Sequence, residues 1–364
     1  MGRFIKTSLL LVNFFAVIAL IGAYMSRSTT PLENGYLPFI GLTFPALSLL
    51  NLFFIAFWQI NGSRWAMLSF FTMLLGFNAW LDYYGNPFTG NKEDGEYKIL
   101  SHNVRLFGFY QWDENIQLRD SMMASLAEEQ ADILCFQEFY VHEEVGGFKT
   151  KPLVLKATKA PHMHEKYTHE FRDQYFGVVT MSKHPILFKG NIEFAQDYNN
   201  YCIYTDILLP SDDTIRIFNA HLASIHFRKA DYDLLEGEDK EMDKALGRAE
   251  DMMRKLKKAF ERRAPQIEQI MEEVKKSPYP TILAGDFNDT PISYTYGLMR
   301  DALDDAYRDC EFGIGNTYNG PIPYLRIDHL FHDEQIDVHS YRVKHDPWSD
   351  HFPVICSFNL NKEE

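Results

Sequence analysis

Three uncharged apolar runs crowd into the first 85 residues, and no other feature restricts the folding of this chain as strongly. Residues 7–26 are rich in Leu, Ile, Phe and Val and have about the ~20-residue length that crosses a bilayer as a helix. A second run at 36–60 and a shorter third at 65–81 follow, so the reading is a membrane anchor of three transmembrane helices over residues 1–85. Tyr24, Tyr36, Trp58, Trp65, Trp80, Tyr83 and Tyr84 stand at or near run ends, as interfacial anchors do. A cleaved signal peptide is the competing reading of the first run, because Arg3 and Lys6 precede it. The lack of a small-residue cleavage site and the two runs that follow speak against that. Arg3, Lys6 and Arg64 hold their segments inside, so an odd number of spans puts the rest of a multi-pass protein on the extracytoplasmic side, the periplasm of a Gram-negative cell. Arg27, in the first loop, argues the other way.

Residues 86–96 are polar and carry Gly and Pro, which marks a linker, and the second domain spans 97–360. Net charge is −14, yet residues 1–90 hold two of the 50 acidic side chains, so the acidity belongs to that second domain. Such a field repels polyanions and disfavours tight nonspecific nucleic-acid binding. Cys135, Cys202, Cys310 and Cys356 are scattered without a CxxC pair, and no disulfide framework is indicated.

Apolar runs in this domain repeatedly end in polar side chains. The stretch from Tyr97 ends in Asn103, that from Ala131 in Glu138, that from Thr214 in His221, and that from Arg326 contains Asp328, while Asp350 and His351 come just before the final run. Asp286 and Asn288 leave the strand that begins near Tyr279 at alternate positions, so both point the same way. Gly285 beside them permits close backbone approach. A carboxylate next to a neutral amide can orient a water and hold a phosphate oxygen without adding a second negative charge. Read alone, the same residues make an Asx turn. Further strands are expected near 177–182 and 202–209, and a helix at 113–130. Residues 238–276 read as one long charged helix, or two broken near Pro265.

Taken together, LSHNV at 100–104, DILCFQE at 132–138, GVVTMSKHP at 177–185, NAHL at 219–222, GDFN at 285–288, IDHLF at 327–331 and SDHFP at 349–353 resemble the endonuclease/exonuclease/phosphatase superfamily, the DNase I-like phosphoesterases. The resemblance implies a four-layered α/β sandwich of two packed mixed sheets, with a site where the sheet ends meet. It also implies divalent-metal hydrolysis of phosphoesters. By motif, Glu138 is the principal Mg²⁺ ligand with Asn103 nearby, and Asp350 adds a carboxylate; Mn²⁺ can substitute. Asp286 orients or deprotonates the attacking water, and Asn288 holds a phosphate oxygen. His351 contacts the phosphate with Asp328 accepting its other ring proton, and His221 is the second histidine there. Mg²⁺ prefers oxygen ligands and needs only one or two carboxylates beside the substrate, which this set provides.

The expected protein is thus a membrane-anchored phosphoesterase, more a diesterase than a monoesterase. Its partners are the lipid bilayer and a phosphoester substrate: a lipid head group, a nucleotide or another small phosphoester. An extracytoplasmic nuclease acting on nucleic acid is the alternative, and a membrane-tethered binding module without catalysis is the alternative of another class. Three weaker features remain. His162, His164 and His169 read as a polar loop rather than a transition-metal site, Ser182 and Lys183 as a wall of the active site, and His226 and Arg228 as substrate contacts or part of the insertion.

Overall fold

The computed structural model describes residues 3–109, 115–142, 148–171, 173–195, 197, 199–225 and 242–361. Its N-terminal part folds into α1 (Arg3–Met25), α2 (Leu37–Leu42), α3 (Phe44–Ile60), α4 (Ala66–Leu75) and α5 (Phe77–Tyr84). The second and third expected spans are therefore each divided. Pro38 and Pro45 sit in the first turns of α2 and α3, where a missing N–H costs nothing but no helix can be continued backwards, so the helical ladder stops at Thr43. Gly76 separates α4 from α5, and a Cβ there would lie 1.9 Å from Tyr24 Cζ of α1, so the break accompanies a close helix crossing. Among the described residues one helix, Phe4–Met25, is by itself long and apolar enough to cross a membrane, and α3 and α4 are shorter. Three full-length spanning helices are corrected to one.

The helices nonetheless form one antiparallel bundle. Ala16, Phe54, Trp58 and Ala66 pack together at one end, and Leu20, Ala23, Phe44, Ala79 and Tyr83 at the other. α1, α3 and the α4–α5 pair consequently run up, down and up. A polar network is buried among them: Trp58 Nε1 donates to Asn13 Oδ1 at 3.0 Å, Asn13 Nδ2 to Ser69 Oγ at 2.6 Å, and Ser69 Oγ to Asn51 Oδ1 at 2.8 Å. The outer surface of the bundle carries exposed Leu11, Phe15, Ile18, Leu49, Phe53, Phe70, Phe71 and Leu74.

From Tyr97 the chain alternates strands and helices: β1 (Tyr97–Asn103), α6 (Asn115–Glu129), β2 (Ile133–His142), α7 (Thr150–Thr158), β3 (His162–Phe171), β4 (Gln174–Ser182), β5 (Ile186–Glu193), β6 (Tyr201–Leu208), β7 (Thr214–His221), α8 (Met242–Val274), β8 (Thr281–Asp286), α9 (Tyr294–Arg300), β9 (Asp304–Asp305), α10 (Ala306–Cys310), β10 (Asp328–His332), β11 (Ile336–Val343) and β12 (Val354–Leu360). The strands make two six-stranded sheets, ordered β11-β12-β1-β2-β4-β3 and β5-β6-β7-β8-β10-β9. Each is mixed, with a parallel pair at its centre, β1–β2 in one and β7–β8 in the other. Alternation along each strand sends Ile99, Ile133, Cys135, Ile217, Ile282, Ala284, Leu330 and Val354 into the space between the sheets. The opposite faces pack against helices: Leu100, Leu134 and Phe136 with Met122, Leu126 and Val154 on one side, and Phe218, Leu283 and Phe331 with Ile267, Ile270 and Tyr296 on the other. Four layers result, as expected. Pro265 lies inside α8 without dividing it, since Ala264, Ile267, Ile270, Met271 and Val274 are buried along one face.

Strands β3, β5, β9 and β11 are additions to the sequence reading, and all four are sheet edges, where the apolar pattern is weakest. His162, His164 and His169 accordingly belong to β3, not to a loop, and His164 Nδ1 pairs with Thr205 Oγ1 at 2.8 Å. All four cysteines are free and buried.

The linker and the bundle both pack onto the sandwich. Gly95 N donates to Ser357 Oγ, and Tyr341 N to Asn91 Oδ1. At the bundle end the Asp82 carboxylate, 2% exposed, meets Arg27 at 2.6 Å, Arg308 at 2.6 Å and Arg300 at 3.3 Å. Ser26 Oγ donates to the Ile292 carbonyl at 2.6 Å, and Ile292 joins the cluster of Leu20, Ala23 and Phe44.

Candidate active site

Strand register gathers the polar residues at one edge of the sandwich. In the parallel pair β7–β8, His221 stands opposite Asp286, and in the antiparallel pair β8–β10, Asp286 stands opposite Asp328. β1 delivers Asn103 beside β2. Glu138 arrives differently from the expectation that it ends its strand: β2 continues to His142, and a bulge between Phe136 and Phe139 turns Glu138 out at φ 50°. The extra residue frees this carboxylate from the sheet pattern and aims it at the site, leaving its side chain one-third exposed. Gly285 has φ 148°, and a Cβ there would lie 2.0 Å from the Ala220 carbonyl, so β7 and β8 can approach only with glycine at that position.

Asp286 is the centre. Its Oδ2 accepts from Asn103 Nδ2 at 2.9 Å, and its Oδ1 accepts from the backbone N–H of Asn288 at 2.9 Å. The Nε2 atoms of His221 and His351 each lie 3.7 Å from Oδ2. Asn103 Nδ2 also reaches Glu138 Oε1 at 3.4 Å, and His221 Nε2 is 3.9 Å from the same oxygen. That His221 nitrogen is buried and has no hydrogen-bond partner among the described residues. Asn288 adopts φ 53° and donates through Nδ2 to the Leu222 carbonyl at 3.2 Å, which leaves one amide hydrogen to offer outward.

His351 and Asp328 form a buried pair, Nδ1 to Oδ2 at 3.0 Å. Burial pushes the Asp328 carboxyl up to about 6, even with the imidazole beside it. Burial also opposes charge on His351, but Asp328 and Asp286 outweigh it and hold the imidazole well above its ordinary range. The ring is thus a proton holder with Nδ1–H on Asp328 and Nε2 facing Asp286. A hidden frame keeps the loop in place: Thr317 Oγ1 accepts from the N–H groups of Ile327 and Asp328, and Ser349 Oγ donates to the Asn103 carbonyl.

Glu138, Asn103 and Asp350 offer oxygen donors, the chemistry a hard divalent cation requires. Asn103 Oδ1 accepts from Arg105 N at 3.0 Å and retains a lone pair, while Asp350 lies 3.3 Å from Arg105 Nε. The donor set therefore fits Mg²⁺ or Mn²⁺. Asp286, Asp328 and His351 also bring one ligand atom each within 4.8 Å of the others, but Asp328 already occupies His351 Nδ1, so this trio is better suited to holding protons.

All eight residues singled out in the sequence come to this edge. Ser182 and Lys183 do not: Ser182 pairs with Ile133, at the far end of β2 from Glu138, and Lys183 Nζ binds the Gln130 carbonyl and Asp132. Their wall role is corrected, because the strand carries them away from the site. His226 and Arg228 lie outside the described residues. The structure adds Arg105, held with φ 42° over Asp350, and Tyr318, whose ring centroid lies 5.3 Å from that of His351. It also adds Gln137 and Asn219, which bond each other across the two sheets at 2.7 Å. The latter pair had a signal in sequence, amide side chains inside otherwise apolar runs; Arg105 and Tyr318 sit in irregular stretches that carry none.

Comparisons with known proteins agree with this geometry. A model of the endonuclease/exonuclease/phosphatase family matches residues 100–351, and a model of a domain of unknown function (DUF8431) matches residues 6–83. No curated protein matches in sequence. Among solved structures, a mannosyl-6-phosphatase from Bacteroides thetaiotaomicron is 16% identical with a TM-score of 0.54, covering 73% of this chain and 100% of that one. An endonuclease/exonuclease/phosphatase from Beutenbergia cavernae is 17% identical at TM-score 0.52, covering 73% and 72%. The human Nocturnin catalytic domain, solved with bound sulfate, is 16% identical at 0.51, covering 72% and 93%. At these identities the likeness is one of fold.

Proposed function

Because the chain belongs to the endonuclease/exonuclease/phosphatase family, whose members are hydrolases acting on phosphoester bonds, we propose that it is a membrane-anchored, Mg²⁺-dependent phosphodiesterase of small or lipid-borne phosphoesters. The observation that carries this reading is the convergence of His221 and His351 Nε2 on Asp286 Oδ2, each at 3.7 Å, with Asp328 locking the second ring.

Asp286 is the base. Two hydrogen bonds fix its carboxylate, so it can orient a water for in-line attack at phosphorus and take up its proton. Asn288 offers its free amide hydrogen to a non-bridging phosphate oxygen. His221 and His351 place N–H groups against the oxygens on which negative charge develops, and the buried Asp328 keeps His351 protonated for that task. Glu138, Asn103 and Asp350 would hold a Mg²⁺, which would supply neutralisation of charge on the phosphate and the leaving oxygen. Direct displacement by water gives inversion at phosphorus.

The apolar outer surface of the bundle supports an anchor reading. Apolar side chains face outward and an Asn/Ser/Trp network faces inward, as lipid demands of packed helices. The up-down-up course puts Arg3, Lys6 and Arg64 at the end away from the sandwich, and Arg27 is neutralised by Asp82, so its contrary signal disappears. This supports an extracytoplasmic catalytic domain anchored through α1.

The test is a substrate panel on the full chain in nanodiscs, comparing phosphodiesters, phosphomonoesters, phospholipids and nucleic acids with Mg²⁺ and with EDTA. Hydrolysis of a small or lipid diester that is lost in EDTA and in Asp286→Asn supports the proposal. Preferential cleavage of nucleic acid makes the chain a nuclease, and no cleavage of any ester makes it a binding module.

A further inference from the structure

We propose that the N-terminal half of α8, residues 246–258, lies against an anionic lipid surface beside the helical bundle; this rests on the reading of the bundle as membrane-embedded. Along α8 the residues Leu246, Ala249, Met253, Leu256, Phe260, Ala264, Ile267, Met271 and Val274 recur at spacings of three and four, one continuous apolar stripe. From Phe260 onward the sandwich buries the stripe completely. Before it the cover thins: Ala249 and Leu256 are half-buried, and Leu246 and Met253 are 59% and 49% exposed. Sequence pattern and packing therefore disagree over this half, which marks a face meant for something other than water.

Its place in the fold indicates the occupant. Phe260 meets Phe39 of α2 with ring centroids 5.5 Å apart, and Lys257 Nζ lies 5.3 Å over the Tyr36 ring, so α8 passes the bundle at the end nearest the sandwich. Its direction follows from connectivity. A short turn at 275–280 joins α8 to β8, and β8 runs toward Asp286 and on to Ile292, which is buried in the bundle cluster. Traced back from Val274, α8 runs the same way, reaches the bundle edge at Phe260, and continues from there to Leu246 for about 21 Å at 1.5 Å per residue.

Charge agrees. Residues 246–258 carry Arg248, Arg254, Lys255, Lys257 and Lys258 against Glu250 and Asp251, a basic segment in a chain of net charge −14. A basic amphipathic helix at the level of a membrane bundle is the form that lies in the lipid interface, with apolar residues among the acyl chains and lysines among the head groups. The helix then joins the domain to the bilayer at a second point.

The four native cysteines are buried, so a single introduced cysteine can be labelled in the full chain. Leu246→Cys and Met253→Cys are labelled with an environment-sensitive fluorophore in nanodiscs of phosphatidylglycerol or phosphatidylcholine containing spin-labelled lipid. Phe53→Cys in the bundle and Asp212→Cys in the β6–β7 turn serve as references. The expected result is quenching at 246 and 253 at least roughly twofold above that at 212, and stronger in phosphatidylglycerol. Quenching at 53 with none at 246 and 253 overturns the inference while leaving the anchor intact, and a change that appears only with rising protein concentration overturns it in favour of a protein partner. No quenching at 53 overturns the anchor reading and this inference together.

Discussion

Asp286 is 1% exposed and touches Asn103, Asn288, His221 and His351, so single substitutions around it separate the roles. Glu138→Gln keeps the shape and removes the charge; the expected outcome is a large rise in the Mg²⁺ concentration needed for half-maximal rate, with the fold intact by circular dichroism. Unchanged metal dependence would remove Glu138 from the ligand set. Asp286→Asn and His351→Ala should each slow turnover by about 10²–10⁴-fold, the usual contribution of a positioned acid or base. Asp328→Asn acts through His351, to which it is bonded at 3.0 Å, so the double variant should lose less than the product of the single losses. Fully multiplicative losses in a kinetic cycle would mean that the two residues work independently.

At the scale of elements, β8 is held to β7 by the glycine that separates them. Gly285→Ala brings a Cβ to 2.0 Å from the Ala220 carbonyl at φ 148°, and strain at such a position costs about 1–3 kcal/mol before any clash is counted. Thermal unfolding of the full chain should show the loss, and an unaltered midpoint would mean that the two strands part easily. β10 and α10 are joined by His332 Nε2 and Asp309 Oδ2 at 2.7 Å. Burial disfavours the charged ring, but the Asp309 bond and the Asp333 carbonyl raise His332 above its ordinary value. Since the folded value is the higher one, the pair contributes its full stability below the unfolded value of about 6.5, and loses it as pH rises through the folded value. The midpoint difference between the native chain and His332→Gln should accordingly shrink as pH rises above the unfolded value, and a constant difference would assign the effect to packing alone.

For the whole molecule the proposed anchor raises the question of which side of the membrane would carry the sandwich. Asp82 bonds three arginines, one from the loop after α1 and two from the second domain, so bundle and sandwich are joined by a buried ionic contact rather than hung on a loose linker. A reporter fused after Tyr84 reads the topology directly. Alkaline phosphatase activity is expected, whereas fluorescence from a cytoplasm-only reporter would return the domain to the cytosol and to cytosolic substrates.

Local pattern was enough to mark the central strands and the eight polar side chains that gather at one edge of the sandwich, because a carboxylate, amide or imidazole beside an apolar run is a short-range feature. Edge strands β3, β5, β9 and β11 stayed hidden, since one side of each is unpaired and its composition is correspondingly polar. The bulge that turns out Glu138 depends on its pairing with β4, and no residue type in FQEF announces it. Arg105 and Tyr318 reach the site through irregular backbone, where spacing carries no periodic signal. In the N-terminal part, composition set the apolar character, but Pro45 and Gly76 within otherwise uniform runs divided the helices, and side-chain packing turned Asn13, Asn51 and Ser69 inward. Sequence alone determined which residues had to leave water or gather beside apolar runs; only the tertiary structure decided that Asn103, His221 and His351 all meet one carboxylate, Asp286, because those contacts join distant segments, 183 residues apart for Asn103 and Asp286.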